Sequence, residues 1–366
     1  MNKLFIDFHV IQTVPPSCVN RDDTGSPKTA QYGGVQRARV SSQCWKHAMR
    51  QMFEDNFDES ALGVRTKRIV DMVASAILSI DSNKSETEAK KLAEKVITKA
   101  KVQLKNNDKT QEPEAKALFF MTHKQADNLA RLIIEDDDPA TKEAQAALNA
   151  GYGVDVALFG RMVADDPSLN TDACSQVAHS ISTHRVDNEF DFYTAVDDCA
   201  PEDNAGAGMM GTVEFNSATL YRYATLAVHE LCKQVDEYPV LIKTTQEFAR
   251  AFITSMPTGK QNTFANQTLP DAVLVCLRTD QPINLAGAFE APVKNEGEGF
   301  VKGSCMALAE YANSVYASFA QAPTESFIIG SYLASFGTPV NLQGLLDSLQ
   351  NMTALFLDSE AMISEA

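Results

Sequence analysis

Ser17-Cys18-Val19-Asn20-Arg21-Asp22-Asp23, then Gly33-Gly34, then Arg37-Ala38-Arg39-Val40-Ser41-Ser42-Gln43-Cys44-Trp45-Lys46-His47-Ala48-Met49-Arg50 make up the one basic region of a 366-residue chain. Residues 1–50 hold seven Lys and Arg against three Asp, a net charge of +4, while the whole chain carries −16. Trp45, Ala48, Met49, Met52 and Phe53 fall at helical spacing, which predicts a helix over residues 42–55 with Ser41 or Ser42 as its N-cap. Gln43, Lys46 and Arg50 are then left on the wet side. A helix start gathers unpaired N–H groups and partial positive charge. Arg37 and Arg39 alternate on the extended approach to it, so both guanidinium forks project from one side. The combination suits a phosphate; the plain alternative is an amphipathic helix with a solvated basic face.

Upstream, Leu4, Ile6, Phe8 and Val10 alternate with Phe5, Asp7, His9 and Ile11, the pattern of a sheet strand. Pro15-Pro16 is expected to stop it, with an irregular loop over residues 17–40. Downstream, from Asp58 to Asn149, the composition shifts to Ala, Lys, Glu and Asp with few aromatic residues. Ala89, Leu92, Ala93, Val96, Ile97, Ala100 and Leu104 mark one amphipathic helix there, and Ala126, Leu129, Ala130 and Ile133 another, the pattern of a helical insertion in a sheet domain. Gly151–Met162 reads as a return to strand and residues 172–183 as a helix. Val186–Val196 and Thr212–Ala224 alternate as paired strands of a protruding arm, joined by the loop from Asp197 to Gly211. The remainder reads as a helix (Thr245–Met256), a polar loop (Pro257–Pro270), a buried strand (Ala272–Leu277), a Gly-rich loop around residues 295–303 and helices near 304–319 and 341–357.

The chain is long enough for one large domain with insertions or for two, and its apolar and charged fractions are those of a globular protein. The start lacks the unbroken apolar run of a signal peptide, since Asp7 and His9 interrupt it, and no segment approaches a transmembrane span. Seven scattered cysteines, none in Cys-x-x-Cys spacing, support neither a disulfide framework nor a zinc site, so a reducing cytoplasm is expected. The acidic balance argues against a protein that coats nucleic acid, whose affinity comes from neutralising phosphates. A local basic strip on an acidic body would still bind one strand.

Several motifs fail on context. Gly206-Ala207-Gly208-Met209-Met210-Gly211 fits the dinucleotide fingerprint in letters, but an acidic loop precedes it and a strand follows. Thr258-Gly259-Lys260-Gln261 lacks the first Gly and the Ser/Thr of a P-loop, leaving Lys260 as a candidate phosphate contact. His179 and His184 are five apart and His229-Glu230 lacks a second His, so these read as structural histidines rather than metal ligands. Asp22-Asp23 and Asp197-Asp198 read as turn caps, with a divalent cation as the functional alternative. Phe192-Tyr193, Met162 and Tyr221/Tyr223 read first as core; the arm, and the place of Met162 beside Arg161, make stacking on bases the alternative.

Taken together, Ser17–Asp23, Gly33-Gly34, Arg39–Gln43, Lys46, Ala48–Arg50, Gly153–Leu158, Gly160-Arg161-Met162, Ala178-His179, Thr183-His184, Phe192–Asp198, Tyr221–Ala224 and Gly259–Gln261 resemble, in order, the CasC-type backbone subunit of Cascade, the type I-E CRISPR surveillance complex. The resemblance is weak over the helical insertion and the last hundred or so residues. It implies an α+β fold: a palm like the RNA-recognition motif (ferredoxin-like), a helical finger insertion and a β-hairpin thumb. The expected divisions are residues 1–57 (palm, first part), 58–185 (finger with return strand), 186–224 (thumb) and 225–366 (palm, second part, and C-terminal helices).

The resemblance further implies a non-catalytic, cytoplasmic CRISPR RNA-binding subunit, with no cofactor, no bound metal and no membrane. Its partners would be the guide RNA, target DNA through the guide, further copies of itself and other Cascade subunits. Copies would stack along the guide, the thumb of one crossing the guide of its neighbour and displacing a nucleotide at regular intervals. Guide contacts would carry over to Arg21, Lys28, Ser41, Ser42, Gln43, Lys46 and Arg50, with Arg37, Arg39, Arg161 and Lys260 as further candidates. Met162 would wedge against bases and Phe192-Tyr193-Thr194 would sit at the displaced nucleotide. Two departures stand out: Val35-Gln36 follows the double Gly where the family can be more basic, which puts Arg37 in doubt as an equivalent, and Phe-Tyr at the thumb excludes an indole hydrogen bond. The alternative, from a different class, is a metal-dependent RNA endonuclease on a related backbone fold with Asp22 or Asp23 as the catalytic acid.

Overall fold

The computed structural model describes residues 2–163, 166–195, 209–235 and 237–364. By internal contacts the chain divides into a sheet unit, Met1–Met52, Gln176–His229 and Thr245–Ala366, and a second unit, Phe53–Ser175 and Glu230–Thr244.

The sheet unit is built on strands β1 (Phe5–Ser17), β2 (Thr29–Tyr32), β3 (Val35–Val40), β4 (Ser175–Val177), β5 (Ser180–Ser182), β6 (Glu189–Ala195), β7 (Met209–Ala227), β8 (Ala272–Arg278), β9 (Glu325–Ile329) and β10 (Thr338–Pro339). Their order is β10-β9-β8-β1-β7-β5-β3-β2, with β4 and β6 also pairing β7. At the centre β1 lies antiparallel to both neighbours, Val10 opposite Arg222 of β7 and Val273 of β8.

Both faces of this centre are buried. Phe8 packs on Phe248 and Phe252 of helix α2 (Tyr238–Thr254), and Ile11, Tyr221, Tyr223 and Leu274 pack with Cys305, Leu308 and Ala312 of helix α3 (Val301–Ser318). That explains the unbroken burial of β8. It also puts the polar residues of β1 inside. Asp7 accepts from the Tyr223 hydroxyl at 3.1 Å and from the Ile283 N–H at 2.8 Å, while His9 Nδ1 is hydrogen-bonded to the Tyr221 hydroxyl at 2.9 Å. Burial pushes Asp7 up to about 6 and, with a smaller contribution from Arg278, brings His9 down to about 3.

The second unit is helical, as its composition predicts. Helices Ile69–Ile80, Glu86–Lys99, His123–Glu135 and Thr141–Leu148 share a core that includes Val73, Ile77, Ala93, Val96, Leu129 and Ile133. A capping box of Ser85 and Glu88 starts the second of these. Two small two-stranded sheets complete it, Gly63–Thr66 with Phe119–Thr122 and the hairpin Leu104–Asn106 with Pro113–Ala115. The fold is therefore α+β, with one large mixed sheet. Among the described residues, no helix is long and apolar enough to cross a membrane.

Several local expectations are corrected. Pro15-Pro16 does not end β1; the register shifts between Val14 and Ser17, and that irregularity accommodates residues that cannot donate to the ladder. Residues 17–40 are not wholly irregular, because β2 and β3 form a hairpin whose two-residue turn is Gly33-Gly34, at φ +58° and +76°. Gly151–Met162 contains a helix, Val154–Phe159, whose first five residues are all buried, so no alternation marks its type. Residues 172–183 hold β4 and β5 instead of a helix; Ser175, Ser180 and Ser182 are buried, and the Ser182 hydroxyl satisfies the Ala38 N–H. The loop between the arm strands, residues 196–208, lies outside the described residues, and with it Asp197-Asp198 and the first half of the dinucleotide-like motif.

Candidate nucleic-acid interface

The basic helix is present as α1 (Ser42–Asn56). Trp45, Ala48, Met49 and Phe53 are buried, Gln43 is exposed, and Ser42, Lys46 and Arg50 are half-buried. Ser41 is the capping residue: it is buried, and its hydroxyl and carbonyl both accept from the Cys44 N–H. Asn20 ties the preceding loop to this point, its side chain accepting from the Ser41 N–H at 2.9 Å and its carbonyl from the Lys28 N–H at 2.8 Å. Lys28 in turn accepts the Arg39 N–H. Loop, hairpin and helix start are thus one hydrogen-bonded corner.

Arg39 lies half-buried on β3, its Nε donating to the Thr29 carbonyl and its Nη1 to His179 Nδ1 at 3.2 Å. Burial first, then the charges of Arg39 and Lys28, hold His179 below the usual imidazole range and keep it an acceptor. Lys46 is likewise lowered by burial. Arg21 lines a cleft of about 470 Å³ together with Asp22, Asp23, Thr24, Cys44, His47, Gln51 and Thr258. The cleft wall at Gly259 is so tight that a Cβ there would come within 2.0 Å of the Val19 carbonyl, and Lys260 follows in the left-handed region at φ +52°. Arg21, Lys28, Arg39, Ser42, Gln43, Lys46, Arg50 and Lys260 therefore gather on the loop, hairpin and helix of the sheet unit.

Other candidates lie elsewhere. Arg37 is wholly buried, and its guanidinium donates to the carbonyls of Tyr32, Ser182 and Phe289; it presents nothing to a ligand. Arg161, in the second unit, is buried against Phe119 and Tyr152 and donates to Leu169, Phe120 and Asn149. Its neighbour Met162 is 84% exposed. Phe192, Tyr193 and Thr194 stand exposed on β6, whereas Tyr221 and Tyr223 are core. Tyr193 pairs with Gly211, where a Cβ would lie 2.5 Å from the tyrosine oxygen, so the last Gly of the dinucleotide-like motif makes room for an aromatic ring. His184 accepts the Thr219 N–H and stacks on Phe300, a structural role. Asp22 Oδ1 accepts from the Thr24 N–H, the Thr24 hydroxyl and the Ser26 N–H, which fixes its own turn.

His47, Gln51 and His179 were missed. Sequence held a signal for the first two: His47 and Gln51 are four apart in the segment that forms α1 and so share one helix face. For His179 there was none, because its partner Arg39 is 140 residues away.

The match that decides kinship is to the family described as CT1975-like protein, over residues 6–352. The chain belongs to that family. This CT1975-like protein is also similar to a chain of a "CRISPR RNA-guided surveillance complex, pre-nicking", with a TM-score of 0.83 and 32% identity, covering 95% of this chain and 100% of that one. A chain of a "CRISPR RNA-guided surveillance complex" matches with a TM-score of 0.72 and 26% identity, over 94% and 99% of the two chains. No curated protein matches. The resemblance to Cascade backbone subunits read from the sequence is thereby borne out for this CT1975-like protein.

Proposed function

We propose that this chain is a non-catalytic backbone subunit of a type I-E Cascade complex, binding CRISPR RNA, oligomerising along it and presenting it for pairing with target DNA. The observation that carries the reading is full-length likeness to a chain of an RNA-guided surveillance complex. In this reading the sheet unit acts as an RNA-recognition-motif-like palm, the helical unit as the finger and β6–β7 as the thumb. Lys28, Arg39, Lys46, Arg50, Arg21 and Lys260 hold phosphates, and Ser42 and Gln43 add polar contacts at the helix start. Met162 wedges against bases, and Phe192-Tyr193-Thr194 meets the displaced nucleotide of a guide bound by the next copy. Guide pairing supplies sequence specificity, and the protein supplies backbone and shape. The subunit works in the cytoplasm with the other Cascade subunits.

Sedimentation velocity of the purified chain with single-stranded repeat-spacer RNAs of increasing length tests this. Complexes that grow stepwise with RNA length are expected. One copy bound at every length would remove the backbone role. Magnesium-dependent RNA cleavage lost in Asp22→Ala or Asp23→Ala would replace the non-catalytic reading with the nuclease one.

A further inference from the structure

Arg222 of β7 is a cation with no carboxylate partner among the described residues. It is 1% exposed. Nη1 donates to Gln12 Oε1 at 2.5 Å and Nη2 to the Phe252 carbonyl, while the Trp45 ring lies 3.7 Å and the Phe252 ring 4.8 Å from Cζ. Desolvation lowers this guanidinium to about 9, so it remains protonated at neutral pH. Arg278, by contrast, has Asp280 at 2.7 Å. A methionine could fill the space under Trp45 without burying a charge, but it would leave Gln12 Oε1 and the Phe252 carbonyl without this donor.

Trp45 is the inward residue of α1, and Gln43, Lys46 and Arg50 lie toward the opposite side of the helix. The Arg222 charge therefore sits about one helix diameter, ~12 Å, below the face assigned to RNA. We propose that Arg222 strengthens RNA binding without touching RNA, its positive field acting through α1 on phosphates held at the outer face. This rests on the guide-binding reading. A buried charge is screened little by salt and recruits no counterions, and in a chain of net charge −16 it offsets the acidic body where the strand passes. At an effective dielectric of about 20, a unit charge ~12 Å away changes the binding of one phosphate about tenfold. Because Arg222 displaces no counterion from RNA, its removal lowers affinity without changing the slope of log K against log salt, unlike the loss of a surface contact.

The test is binding of a fluorescent single-stranded RNA to the full chain, to Arg222→Met and to Arg222→Lys across a salt series, with thermal unfolding measured alongside. Arg222→Met is expected to melt lower than wild type, because two buried acceptors lose their donor, and, at a temperature where it is folded, to bind about tenfold more weakly and to keep the wild-type salt slope. Arg222→Lys is expected to bind within about twofold of wild type at low pH, where the buried lysine holds its proton, and to fall toward the neutral variant as pH rises through its lowered pKa. If Arg222→Met fails to fold, Arg222→Gln serves as the neutral variant, with the same expected loss. Unchanged affinity in the neutral variant overturns the proposal, and so does a lysine variant as weak as the neutral one at low pH, since contacts rather than charge would then be the cause. A wild-type chain that binds no RNA removes the guide-binding reading and this inference together.

Discussion

On the helical unit Lys90 reaches Glu112 at 2.9 Å and Glu86 at 3.4 Å, Lys95 reaches Asp137 at 3.5 Å, and Lys99 lies 2.8 Å from Asp138. On the sheet unit Arg39 turns to a carbonyl and a neutral histidine, and no described carboxylate pairs with Arg21, Lys28 or Arg39. The helical unit has the more obvious lysine stripe, yet Lys90, Lys95 and Lys99 each meet a carboxylate on the same surface. The loop and hairpin that carry Arg21, Lys28 and Arg39 hold fewer cations. A cation with no carboxylate beside it is the one left to take an anion.

The comparison breaks if charge on α1 proves dispensable. Lys46→Glu combined with Arg50→Glu should lower RNA affinity about a thousandfold near 0.15 M salt and flatten the salt dependence, equally for unrelated RNA sequences. A base-dependent loss in a filter-binding series would show that these residues read bases.

A second test separates charge held inside from charge offered outside. Asp7 has its folded pKa raised from 3.8 to about 6 by burial. Its contribution to stability is therefore complete below about pH 3.8 and lost as pH rises through about 6. Asp7→Asn should then exceed wild type by up to about 3 kcal/mol at pH 8, with the gap closing at pH 4, as read by urea unfolding. An unchanged gap across that range would mean Asp7 does not titrate there.

The smallest effect is expected on the helical unit. Lys95→Ala with Lys99→Ala should leave RNA affinity within about twofold and change stability by less than about 1 kcal/mol, because exposed pairs contribute little. A tenfold loss of RNA binding would make the stripe part of the interface and erase the contrast.

How far the sequence could be read follows from where each residue's partners lie. Helix α1 was legible because Trp45, Ala48, Met49 and Phe53 repeat at helical spacing within one segment, and β6–β7 because both arms alternate. Arg37 and Arg39 share a strand face, yet one is buried and the other half-buried. Carbonyls of Ser182 and Phe289, 145 and 252 residues away, settle that, and no local pattern encodes them. The helix Val154–Phe159 was illegible for another reason: a fully buried run has no periodicity to reveal. Asp7 and His9 looked like residues of a half-wet strand face, and the cover that α3 provides could not be inferred from β1 itself.

Strand β7 spans 19 residues, which at about 3.3 Å each is roughly 60 Å of continuous chain. Its C-terminal half is walled in by β1, whereas Met209–Phe215 pairs with a β6 that is exposed along its whole length. Amide protons of residues 218–227 should exchange only when the whole sheet unit opens, and those of 209–215 by fraying of the arm alone. The arm can therefore loosen while its root stays anchored in the core.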